Sequence, residues 1–263
     1  MTFSARLAVG APGGTPRILE AAAAAPQRWT IGDSSGGWLT VHHQLIGEGC
    51  FPGERLRTRI TVRQGASALV AAVAATPLRA GPPSLAAVRI TVEPGARLIY
   101  APGTLIPHAG AGHASILHAA VHPAGGLAIL QAFTAGRTAH ESPAFREFRL
   151  RTALRVGDTL ALDEDVHILP ADWPGGTHVV ASVIALGGWP PAASAWWNNL
   201  AASLPFAAAA DLRAGGTQVR AILPDYTAAR TFFEAAIAHL REAPLMKFCS
   251  SPGKLPETGP QEY

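Results

Sequence analysis

Lysine is almost missing from this chain of 263 residues: Lys247 and Lys254 are the only two, and the other basic groups are arginines. Charge is sparse too, at 15% of residues with a formal net of +3, and no acidic or basic block interrupts the sequence. Wrapping nucleic acid or lying on an anionic membrane calls for cationic groups gathered in far greater number. Neither partner is required here. Cysteine is limited to Cys50 and Cys249, far apart and outside any CxxC spacing. That excludes a disulfide framework and favours a reducing compartment, so the expected location is cytoplasmic.

Targeting and catalytic signatures are absent as well. The opening MTFSARLAVGAPGGTPRIL has neither the apolar core nor the cleavage site of a secretion signal. One long stretch, 179–210, is free of charge, but it contains Gly187-Gly188, Pro190-Pro191 and Asn198-Asn199. These would break a membrane-spanning helix or load it with polar groups. There is no Gly-x-Ser-x-Gly elbow, no HExxH and no GxxxxGK[ST]. The glycines of GAPGGT and HAGAGH precede no strand-to-helix crossover, so they carry no dinucleotide fingerprint.

What the chain does have is repetition. RITVRQGA, starting at Arg59, returns as RITVEPGA at Arg89, and weaker copies follow in HAAVHPAGGLAIL and RTALRVGDTLAL. The glycines Gly65, Gly95, Gly125 and Gly157 mark the turns, and each unit reads as strand, glycine turn, strand. Within units the period is two. Arg55, Arg57, Arg59 and Arg63 fall on one face, with Leu56, Ile60 and Val62 on the other, and Arg149, Arg151 and Arg155 oppose Leu150, Leu154 and Val156. One face is therefore buried and one wet. A fixed interval with this alternation predicts a mainly β body of stacked units of about 30 residues. It is β-helix or solenoid-like, or a layered β-sandwich, since periodicity does not separate these.

The last third changes texture. THVVASVIAL and TQVRAIL read as strands, whereas PPAASAWWNNLAASL and YTAARTFFEAAIAHLRE read as helices. In the second helix Phe232, Ala235, Ala236 and Leu240 share a stripe, with Asp225 or Thr227 as cap. A single β-rich domain is expected over 1–243, followed by a disordered tail over 244–263.

Groups that could carry chemistry are scattered. His118 and His122 lie four apart on a predicted strand, with His113, His108 and the pair His42-His43 elsewhere, and solvated strand histidines are the simpler reading. The loop GEGCFPGERL gathers Glu48, Cys50 and Glu54, whose carboxylate and thiol suit borderline metals. The arginine faces are either solvated or partner-facing, and Trp189, Trp196 and Trp197 are read as anchors of a core or interface.

The segment GARLIYAPGTLIPHAGA then resembles the UreD (UreH) urease accessory protein family: Ile106, Pro107, Ala109, Gly110 and Ala111 fit its phrase without a gap. Ala74-Ala75-Thr76 resembles the end of a family strand, and Gly136, Arg137 and Phe145 resemble a later glycine-arginine phrase. In EGCFPGE, Gly49, Gly53 and Glu54 match a glycine-rich acidic loop of the family, with Pro52 in place of a glycine. The resemblance runs from about Gly47 to Glu242. It implies a non-catalytic scaffold that binds the urease apoprotein and a UreF-like protein, with a UreG-like GTPase joining through the latter. It implies no tightly bound cofactor, nickel passing only in transit, with Glu54 and Glu141 as candidate contacts on the path. Two other readings remain. A β-helical carbohydrate-active enzyme would need clustered carboxylates, and the candidates Asp158, Asp163, Glu164 and Asp165 follow the fourth turn. An arginine-faced binding module directed at RNA would lack the interleaved aromatics of strand platforms.

Overall fold

The computed structural model describes residues 2–136, 144–173, 178–189 and 192–243. In chain order its strands begin with β1 (Thr2–Gly10), β2 (Arg17–Ala23), β3 (Gln27–Ser35), β4 (Trp38–Leu45), β5 (Arg55–Val62) and β6 (Ser67–Ala72). They continue with β7 (Thr76–Leu78), β8 (Ser84–Val92), β9 (Arg97–Pro107), β10 (Gly112–Val121) and β11 (Gly126–Thr134). Then come β12 (Glu147–Val156), β13 (Thr159–Ile168), β14 (Val179–Gly187), helix α1 (Ala192–Ala202), β15 (Ala207–Asp211), β16 (Gly216–Leu223) and helix α2 (Tyr226–Glu242). The body is mainly β, as the period of two predicts.

Two open sheets are formed. The first has the order β13-β12-β10-β8-β5-β1-β2, the second β15-β16-β14-β11-β9-β6-β4-β3, with β7 pairing β9. The glycine turns do not fold the chain into hairpins in the first three units. They carry it from one sheet to the other: β5, β8 and β10 lie side by side and parallel in the first sheet, and β6, β9 and β11 do the same in the second. Only the fourth unit, β12-β13, folds back on itself as an antiparallel pair. Each sheet buries one face against the other, so inward positions, mostly apolar, alternate with outward ones along the central strands of the first sheet. The burial of β5, where Leu56, Thr58, Ile60 and Val62 point inward and Arg55, Arg57 and Arg59 outward, shows the pattern.

The register departs from the glycine spacing. Val62 pairs Val92, Val92 pairs Val121 and Val121 pairs Val156. The intervals are therefore 30, 29 and 35 (92−62, 121−92, 156−121). Gly65 and Gly95 are equivalent, each three residues past the paired Val62 and Val92, whereas the third residue past Val121 is Ala124 and Gly125 falls one place later. Stacking is fixed by strand pairing and burial, and the turn absorbs the odd residue.

The core between the sheets falls into two groups. One, near the glycine turns, includes Val9, Ile60, Ile90, Leu98, Val121 and Leu127. The other, at the opposite end, holds Cys50, Leu56, Leu78, Phe145, Phe148 and Trp173. A third cluster lies outside the second sheet, where α1 and α2 pack against β11, β14 and β16. Asp225 caps α2, accepting from the Ala228 amide at 2.8 Å. The buried stripe of that helix is Ala229, Phe232, Ala236 and Leu240, whereas Ala235 is exposed, because one residue from Ala236 the helix has turned by about 100°. Trp189 and Trp197 are buried anchors, as expected, and Trp196 stacks on His239. No helix among the described residues is long and apolar enough to cross a membrane.

Candidate functional site

At the end away from the glycine turns, the chain returns from the second sheet to the first through the loops 46–54, 79–83, 108–111 and 135–146, the last described only in part. These loops form a ladder of their own. Gly53 donates to the Pro82 carbonyl, Gly81 to Gly110 and Gly110 to Ala144, while Cys50 bonds Pro77 and Arg79 through the backbone. The structure thus gathers Gly53, Thr76, Ile106, Pro107, Gly110 and Gly136, dispersed in the sequence, at one end of the molecule. The packing explains the residue types. Gly49 has φ +103 and a Cβ there would sit 2.1 Å from the Pro77 carbonyl oxygen; Gly136 has φ +106 and would meet that of Pro107 at 2.3 Å. Arg137 and Glu141 lie outside the described residues, as does the predicted tail over 244–263.

Behind this ladder a cavity of about 600 Å³ separates the two halves of the inter-sheet core. Its lining is mostly apolar (Leu56, Leu78, Leu117, Phe133, Phe148), with Gln27, His43, Thr58, Glu48, Cys50 and His113 among the polar groups. The Gln27 side-chain oxygen accepts from Thr58 at 2.8 Å and from His43 Nε2 at 3.0 Å, so neutral His43 carries its proton on Nε2. Trp29 stacks on that imidazole at 4.4 Å. Across the cavity His113 shares a 2.8 Å hydrogen bond with Ser84 through Nδ1, and its Nε2 is buried without a partner.

Electrostatically the lining is quiet. Burial pulls both His43 and His113 down to about 4, so each stays neutral at pH 7. Burial also pushes the Cys50 thiol up to about 11; a hydrogen bond from Ser84 opposes the rise and the Glu54 carboxylate adds to it. Glu54, half-buried, accepts from the Phe51 amide at 2.9 Å and so closes its own loop, reaching the cavity through Cys50. The acid on the cavity wall is Glu48, ion-paired with Arg79 at 3.2 Å. Among the described residues no group of three or more His, Cys, Asp or Glu is placed to hold a metal. Such a lining offers a cation single weak donors, imidazole nitrogen, amide oxygen and protonated sulfur, and no closed coordination sphere.

The remaining candidates lie elsewhere. His118 is on the outer face of β10, and His122 follows that strand, its Nδ1 accepting from the Ala124 amide. The acids of the fourth unit do not converge on a cleft: Asp165 is held by Arg149 at 2.5 and 2.8 Å, and Glu164 by Arg220. Sequence reasoning passed over Gln27 and Thr58. A signal for Thr58 was present, a hydroxyl at an inward position of the alternating strand LRTRITV, whereas nothing local marks Gln27.

Comparison with known proteins gives the family. The family profile described as UreD urease accessory protein matches residues 4–252. A urease accessory protein UreD of Sorangium cellulosum (strain So ce56) is 28% identical over 217 residues, covering 77% of this chain and 68% of the relative. With the match extending through both sheets, the return-loop ladder and the C-terminal helices, the chain belongs to the UreD family of urease accessory proteins.

Proposed function

We propose that this chain is a non-catalytic scaffold of urease maturation, which holds the urease apoprotein together with UreF-like and UreG-like proteins while nickel moves toward the urease active site. Family membership over residues 4–252 carries the reading. The cavity supports it physically. Cargo that must be released is served by weak, neutral donors spaced along a passage, since a complete ligand set would retain it. Glu48 stands at the wall of that cavity and Glu54 behind Cys50, so these carboxylates attract a divalent cation to the return-loop end without enclosing it.

The test is urease activation in cells at limiting nickel, with Glu54→Ala, Glu48→Gln and the parent chain compared at equal abundance. Both variants are expected to activate less urease while keeping the parent's far-ultraviolet circular dichroism. Full activation by both variants would defeat the nickel-path part of the proposal. Failure of the parent chain to co-purify with urease subunits and a UreF-like protein would defeat the scaffold part.

A further inference from the structure

The second sheet is covered on its outer face by α1 and α2, but among the described residues no element lies over the outer face of the first. The parallel register decides what that bare face displays. Ser4, Arg57, Ala87, Ile116 and Arg151 stand in one row across β1, β5, β8, β10 and β12. Arg6, Arg59, Arg89, His118 and Ala153 stand in the next. Neighbours in a row are about 4.8 Å apart, and rows follow at about 6.6 Å.

Cationic groups so close repel one another, and at the margins they are neutralised. Arg6 pairs with Glu20 of β2 at 3.3 Å, and Arg149 with Asp165 of β13. The inboard set is not. Arg55, Arg57, Arg59 and Arg89 are exposed and have no ion pair among the described residues. At His118 the net effect is cationic: its pKa is lowered first by burial, then by Arg151 and Arg89, with Asp163 of β13 opposing them. In a chain with 15% charged residues, an uncompensated set on a flat, rigid sheet is an arrangement that a counter-charged surface would complete.

We infer that the outer face of β5 and β8 docks an acidic protein surface, whose carboxylates pair with Arg55, Arg57, Arg59 and Arg89. Guanidinium suits this role because its planar fork takes a carboxylate through two hydrogen bonds and sheds water more easily than ammonium. RNA fits the face less well. It presents no tryptophan, tyrosine or phenylalanine for bases to stack on, and the acids at both margins, Glu20 and Asp165, would repel a phosphate backbone extending beyond the centre.

The experiment uses the full chain, a charge-removing triple variant (Arg57→Gln, Arg59→Gln, Arg89→Gln) and a charge-keeping one (the same positions to Lys). All three positions are exposed, and circular dichroism confirms folding. The probes are a labelled glutamate-rich peptide and an RNA oligonucleotide of similar charge, titrated by fluorescence anisotropy over a range of salt. The parent is expected to bind the peptide more tightly than the RNA, with affinity falling as salt rises. The Gln variant should bind the peptide at least about tenfold more weakly, and the Lys variant within about threefold of the parent. Equal peptide binding by parent and Gln variant, no binding by the parent at low salt, or tighter binding of the RNA would each overturn the inference. Co-purification with urease is a separate readout: a Gln variant that loses the peptide but keeps urease leaves both proposals standing, with the face assigned to a different acidic partner.

Discussion

His43 and His113 are the residues whose chemistry the fold alters most usefully. His113 is buried and His43 half-buried beside the cavity, and desolvation brings both pKa values from 6.5 to about 4. The unfolded chain therefore binds protons that the folded chain refuses. Stability that is complete above pH 6.5 is lost as pH falls from 6.5 toward 4. Each histidine contributes a slope of up to about 1.4 kcal/mol per pH unit in that window. Urea denaturation at pH 7 and pH 5 should show the loss, and His113→Asn, which can still bond Ser84 but does not titrate, should flatten it. A slope unchanged by that variant would remove His113 from the account. Thr58→Val is the companion test: it deletes one of two donors to the Gln27 oxygen and should cost about 1 kcal/mol at pH 7.

Among the elements, the return loops make the sharpest prediction. Gly49→Ala adds a Cβ against the Pro77 carbonyl at a backbone angle that side chains rarely adopt, and Gly136→Ala does the same against Pro107. Each should destabilise by more than about 2 kcal/mol, because neither backbone group can retreat without breaking the ladder. Gly53→Ala has the same sign of φ but open space around it, and should cost only about 1 kcal/mol. Melting temperatures of the three variants will rank them. The strands of the repeat, and α2 to its ends, were legible because alternation and capping are local signals. The ladder of return loops was not, since its bonds join residues 27 to 34 positions apart through backbone atoms that leave no mark on composition (77−50 through 144−110). Register was hidden for a related reason. A turn glycine is easy to see in a sequence, but inward side chains set the pairing, and Gly125 falls one place beyond its apparent counterpart.

For the molecule as a whole, the layered order predicts where the structure opens first. Strands β8, β9, β10 and β11 are paired on both sides, while β2, β3 and β15 stand at sheet edges. Amide hydrogen exchange should be slowest in the former and fastest in the latter. Equal protection across β8 and β15 would contradict the arrangement. The candidate site was visible in the sequence chiefly as family phrases, Ile106-Pro107 and the glycines around it. The cavity was hidden because its wall draws on residues from Gln27 to Leu150, each unremarkable where it stands.

In the repeated units the backbone passes from one layer to the other at both ends, as a lace passes between the two sides of a shoe. The gap it ties shut cannot widen by sliding or spreading the sheets without tearing hydrogen bonds in several units at once. Whatever enters the space therefore meets a clearance set by the crossovers and bordered by side chains such as His43 and Gln27.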